Sequence, residues 1–192
     1  MSNPSALPWI EAGYQVFAEQ GPEALKVEQL ARQVGISKSS FYHHFADFAI
    51  FTEHLMAHHC ARAVQLAEQA AACRSIDPDF LRMLATNRLD MLFQRQLRMR
   101  RDNLAFQLCY QRAHGAVEER ILPAWAEALG IPGQLTPARE MFAVVTDVFY
   151  QRLTNTNLTY AWLTSLLREI EAFIRHAMRS SGAIARPSGG QS

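Results

Sequence analysis

Residues 34–45 read VGISKSSFYHHF, and this stretch decides the fold. It gathers a glycine, four hydroxyl residues, a lysine and two histidines around three aromatic rings. That is too polar for a core helix and too aromatic for a loop. At helical spacing the two characters separate. Phe41 and Phe45 form an i,i+4 pair on one side, leaving Lys38, Ser39, Tyr42 and His43 opposite, with Ser40 and His44 at the flanks. Ser37 is the predicted N-cap. Gly35 supplies a left-handed turn before it, and Ile36 is expected to plug the junction from inside.

Working outward, Val27, Leu30, Ala31 and Val34 give a short helix halted by Gly35. Ile10, Gly13, Tyr14 and Phe17 give a first helix that stops at Gly21-Pro22. Two short helices joined by VGIS are the sequence form of a helix-turn-helix, whose second helix lies in the DNA major groove. Lysine there donates to guanine edges and serine serves several bases. Tyrosine and histidine reach phosphates or base edges.

These residues, from about Trp9 to Phe45 through WIEAGYQVFAEQG, VEQLARQVGIS and SSFYHHF, resemble the TetR family of bacterial transcriptional regulators. The resemblance implies DNA-contacting roles for Lys38, Ser39, Ser40, Tyr42, His43 and His44, with Ser37 at the start of the helix. Two positions depart from the family pattern. Lys26 stands where threonine usually opens the second helix, giving up a cap but able to meet a phosphate. Phe48 stands where a basic residue usually follows the recognition helix, so one phosphate contact is missing and the ring is free to pack between two domains.

The rest of the chain reads as helix. Expected spans are 47–73, about 78–95 opened by Asp77-Pro78, 102–113 ended by Gly115, 117–129, about 137–155 opened by Thr136-Pro137, and 159–179. The sum is an all-α protein of about nine helices. The expected domains are a helix-turn-helix unit at 1–46, a helical ligand-binding and dimerisation bundle at 47–179, and a small, polar, flexible tail at 180–192. The N-terminal unit is too thin to hold a large core and is expected to lean on the bundle.

Composition narrows the function classes. The 192 residues are 49% hydrophobic and 19% charged with a net charge of +1, so bulk charge does not signal nucleic acid. Within residues 26–44, however, Lys26, Arg32 and Lys38 face only Glu28. No apolar run suggests a membrane span and the N-terminus lacks the form of a signal peptide, which makes the cytosol the expected compartment. Cys60, Cys73 and Cys109, an odd and scattered set, fit reduced buried thiols better than a disulfide framework. His54 and His58, with Glu53 and Cys60 nearby, have chelating spacing but no third ligand. They are expected to be an ordinary helix face, with no metal and no cofactor. No motif of hydrolases, metalloproteases or nucleotide-binding enzymes is present.

Met91, Phe106, Tyr110, Trp125 and Phe149 recur at bundle-facing positions. Together they are expected to wall a cavity for a small apolar or aromatic effector. Arg95, Arg98, Arg100 and Arg101 form a basic cluster expected to lie near the DNA-binding unit. Wide apolar faces on the last two helices (Phe142, Val145, Val148, Phe149, Leu153; Leu163, Leu166, Leu167, Ile170, Phe173, Ile174) are expected to pair with a second copy in a homodimer. The functional expectation is a repressor that binds a pseudo-palindromic operator and is released by its effector. The alternatives are an effector-independent architectural DNA-binding protein, or a helical-bundle ligand carrier or enzyme.

Overall fold

The computed structural model describes the backbone of residues 6–184 and the side chains of residues 6–172. Among the described residues there are nine α-helices and no strand: α1 (Leu7–Gln20), α2 (Val27–Val34), α3 (Lys38–His44), α4 (Phe48–Ala72), α5 (Leu81–Thr86), α6 (Arg88–Met99), α7 (Leu104–Ala128), α8 (Leu135–Arg152) and α9 (Tyr160–Ile184). An N-terminal helix-turn-helix unit is followed by a helical bundle.

The predicted number of helices is right, but one expected helix is split, two are merged into one, and several ends are shifted. The helix expected over 78–95 is broken at Asn87, whose backbone leaves the helical region (φ −97°, ψ 41°). Its backbone and side-chain amides both donate to the Met83 carbonyl, at 3.1 and 2.8 Å. Conversely, Gly115 does not end a helix. It lies inside α7, which runs unbroken through it and through Pro123. A glycine weakens a helix by only about 1 kcal/mol, and packing along α4 outweighs that cost. At the other boundaries, Ser75 accepts from the Asp79 amide, while the Asp77 carboxylate takes the Tyr160 hydroxyl at 2.5 Å. Gln134, not Thr136, precedes α8. The last helix continues past Arg179 to Ile184; the remainder of the expected tail, 185–192, lies outside the described residues.

One apolar core joins the N-terminal unit to the bundle. Phe17 and Tyr14 of α1 stack on Phe93 of α6, with ring centroids 4.1 and 4.3 Å apart. Gln96 donates to the Ala18 carbonyl at 3.2 Å. Arg100 forks onto Glu23 at 2.8 and 2.6 Å. The basic cluster therefore does touch the N-terminal unit, through Arg100. Arg98 instead binds Asp147 and the Tyr110 hydroxyl, and Arg95 the Tyr150 carbonyl.

Candidate nucleic-acid interface and effector cavity

Helix α3 is short, and its orientation depends on its buried rings. Phe41 and Phe45 are 0% and 1% exposed. Phe41 packs edge-on to Trp9 at 5.4 Å, and both phenylalanines lie within 5.1 Å of Phe51 on α4. Gly35 adopts the left-handed conformation (φ 74°, ψ 22°), and the amides of Gly35 and Ile36 both bond the Ala31 carbonyl. This C-terminal motif turns the chain sharply between α2 and α3. Ile36 does not plug the junction: it is 38% exposed, and the interior is filled by the aromatic cluster. Ser37 holds the N-cap position with extended backbone, but its hydroxyl pairs with that of Ser39 at 2.8 Å and not with a cap amide.

The opposite face of α3 is open. Tyr42 is 58% exposed and Ser37, Lys38, Ser39 and His43 are exposed, while Ser40 and His44 are half-buried at the flanks. Lys38 reaches back to Glu28 of α2, Nζ to Oε1 2.6 Å, and holds the Glu28 carboxyl below its usual range by hydrogen bonding. Lys26 lies exposed at the N-cap of α2 and makes no side-chain cap. Phe48 is 37% exposed and leans on Phe51, so it does not fill a space between two units. Asp47 caps α4 by accepting from the Ile50 amide at 2.8 Å.

In the bundle, α4 to α9 enclose a cavity of about 110 Å³. Met91, Trp125 and Phe149 line it, as expected. Phe106 and Tyr110 do not. Phe106 packs edge-on to Phe17 of α1 at 5.6 Å. Tyr110 stacks on His114 and carries Arg98 over its ring. The apolar faces of α8 and α9 are also partly spent inward, because Phe142, Val145, Leu163, Leu166, Leu167 and Ile170 line the same cavity. The side chains of Phe173 and Ile174 lie outside the described residues. Val144 of α8 stays 60% exposed.

The cavity wall carries polar groups that sequence reading missed. His59, Asp90 and Gln94 are all nearly fully buried. Asp90 takes a two-pronged contact from Arg62 at 2.5 and 2.6 Å and a bond from the Tyr14 hydroxyl at 2.8 Å. That hydroxyl also meets His59 Nδ1 at 2.7 Å, and His59 Nε2 meets Gln94 Oε1 at 2.6 Å. Gln94 in turn donates to the Tyr110 carbonyl. Burial pulls His59 down to about 4, so the ring is neutral near pH 7. Tyr14 and a neutral ring then supply two protons for three contacts, which leaves one of them unmade. The signal was present in the sequence. His59 continues the buried face Phe51, Leu55, Ala63 and Leu66 of α4, and Asp90 and Gln94 are four apart on the apolar side of α6. On the far wall, His114 lies 3.5 Å from Glu118, which is also 3.5 Å from Arg139. Burial lowers His114 to about 4, so its contact with Glu118 is not an ion pair near neutral pH.

His54 is exposed and packs on Phe45, and His58 meets Tyr14 edge-on. Among the described residues no group of three metal-ligating side chains converges. No described helix is long and apolar enough to cross a membrane.

Residues 10–47 match the family model of bacterial regulatory proteins of the tetR family. No curated protein sequence matches the chain. Two solved structures share the fold. One, described as a TetR-family transcriptional regulator from Rhodococcus sp., is 19% identical with a TM-score of 0.53, over 88% of this chain and 97% of that one. The other, similarly described and from Mesorhizobium loti MAFF303099, is 15% identical with a TM-score of 0.53, over 90% of this chain and 98% of that one. The helix-turn-helix segment and the overall architecture of this chain are those of the TetR family of transcriptional regulators.

Proposed function

We propose that the chain is a ligand-responsive repressor that binds a pseudo-palindromic operator as a homodimer in the cytoplasm. The observation that carries DNA recognition is α3 itself: Phe41 and Phe45 anchor it, and Lys38, Ser39, Tyr42 and His43 are presented outward beyond the Gly35 turn. Ser37, Ser40, His44 and Lys26 complete the contact set at its edges, mainly toward phosphates. Residues 1–46 act as the DNA-reading unit and 47–179 as the sensing and pairing unit. Two copies, joined through α8 and α9, present α3 to successive major grooves about 34 Å or more apart; Val144 belongs to that joint.

The effector is a small, largely apolar molecule in the α4–α9 cavity, touching Met91, Trp125 and Phe149. It acts only by binding one arrangement of the bundle better than another. Its route to DNA is short. His59, Asp90 and Gln94 on the cavity wall bond to one another or to Tyr14 of α1, and α1 packs against the helix-turn-helix. Regulation, not catalysis, is the role of this arrangement.

Tyr42→Ala and Lys38→Ala test the DNA half of the proposal. Each is expected to weaken binding to the operator about 5-fold or more, the loss of about 1–3 kcal/mol expected for a removed contact, while circular dichroism stays unchanged. Unaltered DNA affinity in both variants would place recognition elsewhere.

A further inference from the structure

Cys60 of α4 and Cys109 of α7 face each other with their sulfurs 3.7 Å apart. Cys109 is buried and Cys60 is partly exposed, so Cys60 is the residue nearer to solvent and Cys109 lies behind it. Cys73 lies at the far end of α4, where its thiol bonds the Gln69 carbonyl. The helices involved pack along their lengths, and α4 begins directly after the recognition helix.

We propose that Cys60 and Cys109 form an oxidative modification site, which a hydroperoxide converts to a disulfide that ties α4 to α7. Cys60 is the attacking sulfur. A hydrogen bond from Cys109 and the charge of Arg112 bring its thiol down to about 7 against the opposing effect of burial, whereas the contact with Cys60 and burial push Cys109 up. Of the two, Cys60 is therefore the sulfur that more readily becomes a thiolate. The Cys60 thiolate attacks the outer peroxide oxygen. An S–O bond forms, the O–O bond breaks, and the departing alkoxide or hydroxide takes a proton to leave as alcohol or water. Cys60 is then a sulfenic acid, oxidised by two electrons as the peroxide is reduced by two. Cys109 next loses its proton and attacks the Cys60 sulfur. The S–S bond forms as the S–OH bond breaks, and the hydroxide leaves as water with that proton. Two thiols and one hydroperoxide give one disulfide, one alcohol or water, and one further water.

The test uses the full chain, fully reduced, then exposed to a small excess of hydrogen peroxide and digested without reductant. The titratable thiols are expected to fall from three per chain to one, with Cys60 and Cys109 recovered in one cross-linked peptide and Cys73 free. Folded protein is expected to react at least about tenfold faster than protein in urea, because sulfurs held in contact act at high effective concentration. With Cys109→Ala, oxidation is expected to stop at a Cys60 sulfenic acid that a cyclic 1,3-diketone traps. Three surviving thiols, a bridge through Cys73 or between chains, or equal rates in folded and urea-unfolded protein would each overturn the proposal.

Discussion

Gly13 shows how much a single missing carbon decides. A Cβ built there would lie 2.4 Å from Phe51 Cζ and 3.3 Å from Leu55, and Phe51 is held by Phe41 and Phe45 with no exposed surface. Glycine therefore lets α1 cross α4 closely enough for the aromatic cluster beneath α3 to close. Gly13→Ala is expected to cost about 1–3 kcal/mol, the range for overpacking a tight interior, read as a lower denaturation midpoint in urea. Gly115 is the opposite case. It has helical backbone inside α7, and an added Cβ meets nothing within 4 Å. Gly115→Ala is expected to raise stability by about 1 kcal/mol, and a fall in the midpoint would show that the site is not open. Tyr14→Phe removes the hydroxyl between His59 and Asp90. The cost is expected to be about 1–3 kcal/mol for the buried groups left short of a partner, together with a weakened response of DNA binding to effector.

At the scale of the element, the N-terminal helices were legible because each requirement was local. The faces of α1 and α2, the left-handed Gly35 and the Phe41–Phe45 pair are each set by residues only a few positions apart, so periodicity and turn chemistry alone place them. Ile36 differs because its surroundings are tertiary: Trp9 and Phe51, from helices before and after, pack Phe41, while Ile36 is left 38% exposed. The same holds for α7. Gly115 looks like a stop in isolation, and only the long contact with α4 makes continuing the helix favourable. The spacing of Phe106 points it to the cavity, but the position of α1 takes it to Phe17. Periodicity tells which face of a helix is covered but not by what. Lys38 has a similar double life: its pair with Glu28 is solvent-exposed and weak, so it exchanges readily for a phosphate or a guanine. Glu28→Gln is accordingly expected to leave folding almost unchanged and to tighten DNA binding, most visibly at low salt. Weaker binding would indicate that the pair orients Lys38 for contact.

Over the whole molecule, buried histidines tie stability to pH. Burial lowers His114 from its ordinary 6.5 to about 4, so the folded chain keeps it neutral where the unfolded chain takes up a proton. Its contribution is complete above about pH 6.5 and drains away as pH falls toward 4, at up to about 1.4 kcal/mol per pH unit. At fixed protein concentration, His114→Gln is expected to flatten the fall of the urea midpoint between pH 6.5 and 4 relative to the unaltered chain; an identical slope would mean that His114 is solvated. The same molecule-wide continuity, one core running from Trp9 through Phe93 to Leu166, is what allows a cavity in the bundle to influence α3. DNA reading by that helix is checked by salt-dependent binding of the purified protein to DNA flanking its own gene. Preference for that duplex over random sequence, with affinity falling steeply as salt rises, is the expected result; equal binding to both duplexes, or none to either, would contradict it.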